Sequence, residues 1–327
     1  MRRLSVAVLI VLAAACGSSS RPPTAPSPVT QAPVTPPPPP PPVMLTGRVV
    51  ASVTGEALGG LSIDLSGTKT TTDADGRFRY ELPPGGSYPR LTISGPGVVQ
   101  RSMSLSALGS RELTVDVISL GSGFDLDYYR RLVRDDYDSP GLLRPLRRWT
   151  EAPRLYLKTV DETGTPVDTD TVERVAAAFE DDAAAWTGGR FGLAGIERGT
   201  ETREGVSGWI TVKWPVDGDE TLCGRAQIAA DGGWIELYSQ NRDCACVGSR
   251  ISPGVVRHEL GHAMGFYHTG ERDDVMYPFA QCDRHPSPRE RLHAAIAYSR
   301  PFGNMDLDDD PFSLFQRLKA SAPIVVN

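Results

Sequence analysis

The sequence predicts two folded domains in series, an all-β domain followed by an α+β domain that has three main helices. Residues 44–118 contain short runs in which apolar and polar residues alternate, which is the period of half-buried strands. From residue 151 onward, similar runs lie beside segments whose apolar residues recur at helical spacing. The part of the chain after residue 43 is long enough for two domains.

Residues 1–16 have the pattern of an export signal. Arg2 and Arg3 precede an apolar run that is too short to span a membrane as a stable helix, and small residues lead to Cys16. The stretch "LAAAC" resembles the bacterial lipobox, in which the cysteine becomes the lipid-bearing first residue. We expect an exported lipoprotein anchored at Cys16, facing the periplasm or the outside. The alternative is an ordinary signal peptide that contains a cysteine, which would give a secreted protein.

Residues 17–43 form a Pro-rich linker. The segment has no apolar period and cannot build a core. Proline favours an extended chain of roughly 3 Å per residue. We expect a monomer that this linker holds away from its anchor.

The net charge of −6 and the scattered basic residues give no indication of a nucleic-acid surface.

The four remaining cysteines are expected to form two disulfides, since an even number in an exported protein is typical of them. Cys244 and Cys246 are too close in sequence to favour pairing with each other. One is therefore expected to reach Cys223 and the other Cys282, with the choice left open. A second metal site is less favoured, because "CAC" lacks the two-residue gap usual at zinc sites.

Residues 44–118 predict a β-sandwich, because many short strands are separated by Gly, Pro and Asp turns. The stretch "TTTDADGRFRYELPPGGSY" resembles the carboxypeptidase regulatory-like domain, an immunoglobulin-like sandwich, through Thr72, Asp73, Gly76 and Phe78. The resemblance implies a spacer or binding module without chemistry of its own. Asp73 and Asp75 are interpreted as turn residues rather than metal ligands.

Residues 119–150 are charged and interrupted by prolines, and "DLDYYRRLVRDDY" is compatible with a short helix. We interpret this bridge as a segment that packs on one domain or the other. A pro-segment is the alternative, although the bridge contains no cysteine and no obvious acidic motif that would block a metal.

The domain at 151–327 starts with a strand and a helix. Asp170 and Glu173 have the spacing of a capping box, and one apolar face follows them at helical spacing. Its members are Val172, Val175, Ala176, Phe179, Ala183 and Trp186. Further strands are expected at "GWITVKW", "GRAQIAA" and "GWIELYS". Ser252–Pro253 and Ser287–Pro288, the latter with Glu290, have the pattern of two more helix starts.

The second of these three helices carries "HELGHAMGFYH", which contains three of the five histidines of the chain. His258 and His262 are four residues apart and so lie on one helix face. Gly265 can adopt the left-handed conformation that ends a helix and return His268 as a third ligand. Three protein nitrogens leave a zinc position open for water, and Glu259 beside them can take its proton.

These five residues form the HExxHxxGxxH signature of the metzincin metalloproteases, and the resemblance is to the matrixin branch. It implies a metzincin-type fold with a twisted mixed sheet and three main helices. It also implies one catalytic Zn²⁺, Glu259 as catalytic base, and Met276 in a turn beneath the zinc. It also implies that the segment from Tyr277 through Pro278 and Phe279 to about residue 281 lines the S1′ pocket. The cysteine switch and the histidine-built structural zinc site of matrixins are missing here.

Other acidic and basic groups receive weaker interpretations. Calcium is considered near "VDGDE" and "DLDDD", although acidic runs are usually solvated surface. His285 and His293 are interpreted as structural or exposed, and Glu290 as a capping residue rather than a third zinc ligand. The strand "GRAQIAA" takes the place in chain order of the edge strand that aligns substrate in the family, so we expect it to add an extended peptide.

The resemblance implies a zinc-dependent endopeptidase that acts on protein or peptide substrates. The first alternative is a surface binding or adhesion lipoprotein with an inactive protease fold, which the retention of Glu259 disfavours. The second is a zinc hydrolase of a non-protein amide, which the sequence does not distinguish.

Overall fold

The computed structural model describes residues 43–82, 90–105, 111–216, 222–239, 244–246, 250–279, 281–311 and 325–326. All of the described residues belong to one compact unit, Pro41–Asn327. The expected signal segment with Cys16 and almost all of the Pro-rich linker lie outside the described residues. In the part that is described, no helix has the length and apolar character needed to cross a membrane.

The N-terminal part of this unit is built from seven strands in two sheets. One sheet has the order β4-β1-β7 and the other β3-β2-β5-β6, and buried apolar side chains of both sheets form one core. The strands are β1 (Val43–Ala51), β2 (Ser62–Leu65), β3 (Thr68–Thr71), β4 (Arg77–Leu82), β5 (Arg90–Ser94), β6 (Arg101–Ser104) and β7 (Arg111–Val117). The alternation in β4, whose side chains are exposed and buried in turn, is the period that the sequence predicts.

Two details of this part could be checked against the sequence. The Asp73 carboxylate accepts hydrogen bonds from the amides of Asp75 and Arg77, which is the turn role expected of it. Strand β6 lacks the apolar alternation that predicts a strand, because three of its four residues are polar. Arg101 of that strand is nevertheless buried, and the carboxylates of Asp116 and Asp310 balance its charge.

The bridge segment packs into the C-terminal part of the unit. It contains helix α1 (Leu126–Arg134), which begins at the N-cap Asp125 and ends at Asp135 in the left-handed conformation. Four apolar side chains of α1 belong to the same core cluster as the later sheet and helices. They are Tyr128, Tyr129, Leu132 and Val133.

The C-terminal part has the expected α+β architecture, with a mixed six-stranded sheet in the order β13-β11-β12-β10-β8-β9. Strands β8, β9, β10 and β12 are parallel, whereas β11 is antiparallel to its neighbours. The strands are β8 (Arg154–Lys158), β9 (Gly195–Gly199), β10 (Trp209–Lys213), β11 (Gly224–Gln227), β12 (Gly233–Leu237) and β13 (Val325–Val326). The three main helices are α2 (Thr169–Asp182), α3 (Pro253–Met264) and α4 (Pro288–Tyr298).

Helix α2 starts earlier than the sequence indicated. Its N-cap is Asp168, whose carboxylate accepts from the amide of Thr171, so the capping box expected at Asp170 and Glu173 is wrong. Glu173 instead forms a bidentate ion pair with Arg198 on the surface. The predicted apolar face is correct, and its last member, Trp186, is completely buried.

A buried network of charges joins the two sheet-containing parts. Arg300 is fully buried and donates to Asp116 of β7, to Ser52 and to Asp308. Arg101 of β6 donates to Asp116 and to Asp310. Burial opposes ionisation of Asp116, but the two arginines outweigh it and lower the pKa of that carboxyl. The stabilisation from this carboxylate is therefore present above its ordinary pKa and lost as the pH falls further.

These ion pairs also account for the acidic run "DLDDD", where calcium was considered. Each of its carboxylates contacts an arginine, as shown by the pairs Asp306–Arg130, Asp308–Arg300, Asp309–Arg90 and Asp310–Arg101. A carboxylate that already has a guanidinium partner is a poor calcium ligand, so calcium is not supported here. The other acidic stretch, "VDGDE", lies almost entirely outside the described residues.

Replacing Arg300 by methionine should destabilise the protein by about 3 kcal/mol, because Asp308 would stay buried without its cation. Urea-induced unfolding of the full chain measures this change. The matched control is Arg198→Met, which removes an exposed pair and should cost under about 1 kcal/mol. An Arg300→Met protein as stable as the control would contradict the role given to this network.

Candidate metal centre

Helix α3 is fixed at both ends by local interactions that the sequence predicts. Ser252 is the N-cap, and Pro253 follows at the first helical position. Gly265 ends the helix with φ +115°, and a Cβ atom there would lie 2.2 Å from the carbonyl oxygen of Arg147. Glycine is therefore required both by the backbone conformation and by the close approach of the bridge segment.

The turn at Gly265 brings three imidazoles to one point. The Nε2 atom of His268 lies 3.2 Å from the Nε2 atoms of both His258 and His262. Three nitrogens held 2.0–2.1 Å from one zinc ion in tetrahedral geometry would be roughly 3.3 Å apart. Among the described residues, these histidines form the one group of three or more metal-ligating side chains close enough to share an ion.

Each imidazole is oriented by an acceptor on its other ring nitrogen. The Nδ1 atom of His258 lies 2.7 Å from the carbonyl oxygen of Val275, and that of His262 lies 2.8 Å from the carbonyl oxygen of Phe266. The Nδ1 atom of His268 lies 2.8 Å from Oδ2 of Asp138. Because acceptors of this kind hold the proton on Nδ1, the lone pairs of all three Nε2 atoms are left for a metal.

Burial keeps the first two histidines neutral. It lowers the pKa of His258 to about 3, and the neighbouring His268 contributes in the same direction. Burial likewise lowers the pKa of His262 far below its ordinary value. A neutral imidazole is the form that binds metal, so the donor set present here fits Zn²⁺.

Glu259 lies beside this cluster with an unused acceptor. The side chain is buried, and its Oε2 atom has no hydrogen-bond partner among the described residues. Burial raises the pKa of Glu259 well above its ordinary value, and the buried carboxylate of Glu236 adds to the effect. A buried carboxyl with an unsatisfied oxygen next to a metal-binding cluster is a candidate for proton transfer.

Met276 packs against Gly261 in the middle of α3. It is fully buried, and a Cβ atom on Gly261 would lie 2.3 Å from its sulfur. Gly261, which lies between His258 and His262 in sequence, therefore provides the space for this methionine. Met276 therefore lies against the helix that carries His258 and His262, and its role as the methionine turn stays a prediction.

The carboxylate of Glu290 holds the backbone of the turn at Val275 and Met276. Its oxygens accept from the amides of Val275 at 3.1 Å and Met276 at 2.8 Å, and also from Ser287, with which it completes the expected capping box. Burial raises the pKa of Glu290 to about 7, and the neighbouring Asp274 acts in the same direction. Glu290 thus fixes the turn whose carbonyl at Val275 orients His258, and it is not one of the three side chains close enough to share an ion.

The remaining histidines have structural contacts. His285 bonds through Nδ1 to Asp182 of α2. His293 is fully buried, and its Nε2 atom accepts from the amide of Asp125 at the start of α1. Both contacts agree with the structural interpretation given to these residues.

The segment expected to line the specificity pocket follows the methionine turn. Tyr277 and Pro278 are half-buried, whereas Phe279 is 68% exposed with its ring centroid 5.4 Å from that of Tyr277. The disulfide Cys246–Cys282 ties the chain just beyond this segment, and Cys223–Cys244 closes a second loop next to β11. These are the two bridges that the cysteine spacing predicts, and the structure settles the choice between Cys244 and Cys246.

Strand β11 reaches the candidate site at its first residue. A Cβ atom on Gly224 would lie 2.6 Å from Oε1 of Glu259, so only glycine leaves this carboxylate in place. One edge of β11 pairs with β12, and the other pairs with Val325 and Val326 of β13. The edge that the sequence assigns to an extended peptide therefore carries a short strand of the chain itself.

Two carboxylates that shape the site were not predicted from the sequence. Asp138 lies in the bridge, 130 positions before the histidine it contacts. Glu236 appeared only as part of an ordinary strand, yet it raises the pKa of Glu259. Nothing local distinguishes either carboxylate from its acidic neighbours, so only the tertiary structure identifies them.

Comparison with known proteins points to the same family as the motif. Residues 201–293 match the family model described as Matrixin (Peptidase_M10), and this segment contains α3, the methionine turn and the first half of α4. The match and the three-histidine cluster fit a matrixin-like metzincin. No protein of curated function matches the chain.

Solved structures resemble the chain only distantly. Metalloproteinase-II of Bacteroides fragilis aligns over 77% of this chain and 84% of its own, with 10% identity and a TM-score of 0.32. A type II cohesin–X-dockerin complex of Acetivibrio cellulolyticus aligns over 23% of this chain and 55% of its own, so this chain spans about half its length, with 21% identity and a TM-score of 0.19. Neither likeness is close enough to assign an activity.

Replacing Glu290 by alanine should lower the free energy of unfolding by about 3 kcal/mol, since it leaves buried amides of the turn without an acceptor. The loosened turn should also weaken zinc binding through His258. Chemical denaturation and zinc titration of the full chain measure both effects. Arg291→Ala, at an exposed position of the same helix, is the control and should change stability by less than about 0.5 kcal/mol. Equal stability and zinc affinity in the two variants would show that Glu290 does not support the turn.

Proposed function

We propose that this protein is a zinc-dependent endopeptidase. The observation that carries the proposal is the convergence of the three Nε2 atoms beside Glu259, whose Oε2 atom has no other partner among the described residues. The matched Matrixin segment supports a metalloprotease in general. The finer steps of the reaction are inferred from the residues of this chain.

His258, His262 and His268 would hold the zinc ion through their Nε2 atoms. When bound, zinc would supply Lewis acidity, which lowers the pKa of water and polarises a scissile carbonyl. Glu259 would accept the proton of the attacking water at Oε2 and deliver it to the leaving amine.

Strand β11 is the proposed docking edge for the substrate. Its pairing with Val325 and Val326 supports the idea that this edge can add a strand, and its first residue adjoins Glu259. An extended peptide in the place of β13 would run past the histidine cluster in antiparallel orientation to β11. The peptide bond to be cut would then reach the zinc site without further movement of the sheet.

Two other functions remain as competing proposals. A binding or adhesion protein would use the fold without turnover, although a buried unpaired carboxylate such as Glu259 would then only reduce stability. A hydrolase of a non-protein amide would use the same zinc and glutamate chemistry. The proposed docking edge on β11 favours a peptide substrate over a non-protein amide.

We also infer that the protein is exported and acts as a monomer on protein or peptide substrates, without a nucleic-acid partner. The two disulfides fit an extracellular or periplasmic location. The lipid anchor at Cys16 is proposed from the sequence pattern alone.

Replacing Glu259 by glutamine should reduce peptide cleavage by at least about 100-fold, because the base is lost, while zinc binding is kept. The measurement is digestion of an unbiased peptide library by the full oxidised, zinc-loaded chain, with the cuts read by mass spectrometry. Glu173→Gln, a surface change, is the matched control, and His262→Ala should lose both zinc and activity. Zinc-loaded protein that makes no chelator-sensitive cuts would refute the endopeptidase and favour one of the alternatives.

Removing residues 321–327 should increase the cleavage rate at low substrate concentration several-fold, since the competing strand on β11 is gone. A full-length chain in which Val325 and Val326 are both proline should behave like the truncated one, because proline cannot donate to a strand ladder. Initial rates against one library-derived peptide measure the effect. Slower cleavage by both variants would mean that the tail assists the substrate rather than competes with it.

A further inference from the structure

The third histidine is held by a carboxylate from a distant part of the chain. Asp138 accepts from Nδ1 of His268 at 2.8 Å, and the two residues are 130 positions apart. The corresponding acceptors of His258 and His262 are backbone carbonyls next to the site. His268 is thus the one imidazole of the three whose orienting partner carries a charge.

The loop that presents Asp138 is closed by its own hydrogen bonds. Asp135 ends α1 with φ +65° and forms an ion pair with Arg144 across the loop. The Asp135 carbonyl accepts from the amide of Ser139, and the Asp136 carboxylate accepts from the amide of Gly141. These contacts fix the loop that places Asp138 against His268.

The same bridge segment also contacts the backbone around the ligands. The amide of Tyr267, next to His268, donates to the carbonyl of Leu132 at 2.8 Å. The indole of Trp149 donates to the carbonyl of Ala263, next to His262, also at 2.8 Å. The bridge therefore contacts the backbone next to His262 and next to His268. Through Asp138 it also contacts the side chain of His268 itself.

A charged acceptor has a chemical consequence for the ligand. A hydrogen bond to a carboxylate is shorter and about twice as strong as one to a neutral acceptor. On a metal-bound imidazole it fixes the ring orientation and raises the basicity of the ligating nitrogen. The Asp138 side chain is only 34% exposed, so water weakens this effect in part but does not remove it.

We infer that Asp138 is a positioning residue for the third metal ligand and that the bridge, residues 119–150, is part of the metal-binding unit. The inference rests on the proposed zinc site. It assigns to that site a side chain, Asp138, that lies outside the HExxHxxGxxH motif. It also contradicts the alternative in which the bridge is a pro-segment. A fragment that starts at residue 150 lacks Asp138 and the carbonyl partner of Tyr267, and should bind zinc poorly.

The test compares zinc affinity in full chains that carry Asp138→Ala, Asp138→Asn or Asp127→Asn. Competition with a chromophoric chelator gives the dissociation constant of each. Asp138→Ala should bind zinc about 10- to 100-fold more weakly, as is typical when such an outer partner is lost. Asp138→Asn should lie between it and the wild type, since an amide oxygen still accepts. Asp127, an exposed carboxylate of α1, is the matched control for a lost charge and should have no effect.

A second readout separates positioning from stability. In zinc-loaded protein, the Nδ1 proton of His268 should resonate at low field in the wild type and shift upfield in Asp138→Asn, which keeps the shape of the side chain. Zinc affinity of Asp138→Ala within twofold of the wild type, or an unchanged His268 resonance in Asp138→Asn, would overturn the inference. Failure of the wild type itself to bind zinc would instead refute the proposed function, and this inference with it.

Discussion

The candidate site depends on one constraint, which is that three imidazoles must present their Nε2 lone pairs to the same point. Each ring can do so only if its Nδ1 proton has an acceptor, and each acceptor comes from a different place in the chain. Val275 belongs to the turn before α4, Phe266 follows the end of α3, and Asp138 lies in the bridge. The motif supplies the ligands, but the fold around it determines whether they converge.

Space imposes a second constraint on the same helix. Gly261 admits the sulfur of Met276, Gly265 admits the bridge at Arg147, and Gly224 of the neighbouring strand admits the carboxylate of Glu259. A Cβ atom at any of the three would lie under 3 Å from its neighbour, so the surrounding elements would have to move apart. These three glycines therefore allow α3 and its neighbouring segments to pack closely against one another.

Local spacing explains what the sequence could predict. The histidine face of α3, the caps Ser252 and Ser287 and the apolar face of α2 are all set by residues within one or two helical turns. The N-cap of α2 was misplaced from Asp168 to Asp170, because both aspartates precede the same apolar face at an acceptable distance. Asp138 was not predicted at all, since its contact with His268 is determined by how the bridge packs and not by any pattern nearby.

The order of the site before metal binds follows from electrostatics. Burial that lowers the pKa of His258 to about 3 keeps this ring uncharged at neutral pH, so it can approach the other two without repulsion. A zinc ion would then meet little competition from protons, and the carboxylate of Asp138 would offset part of the positive charge that zinc brings into a buried site. The bridge would thus supply a negative charge at the proposed zinc site.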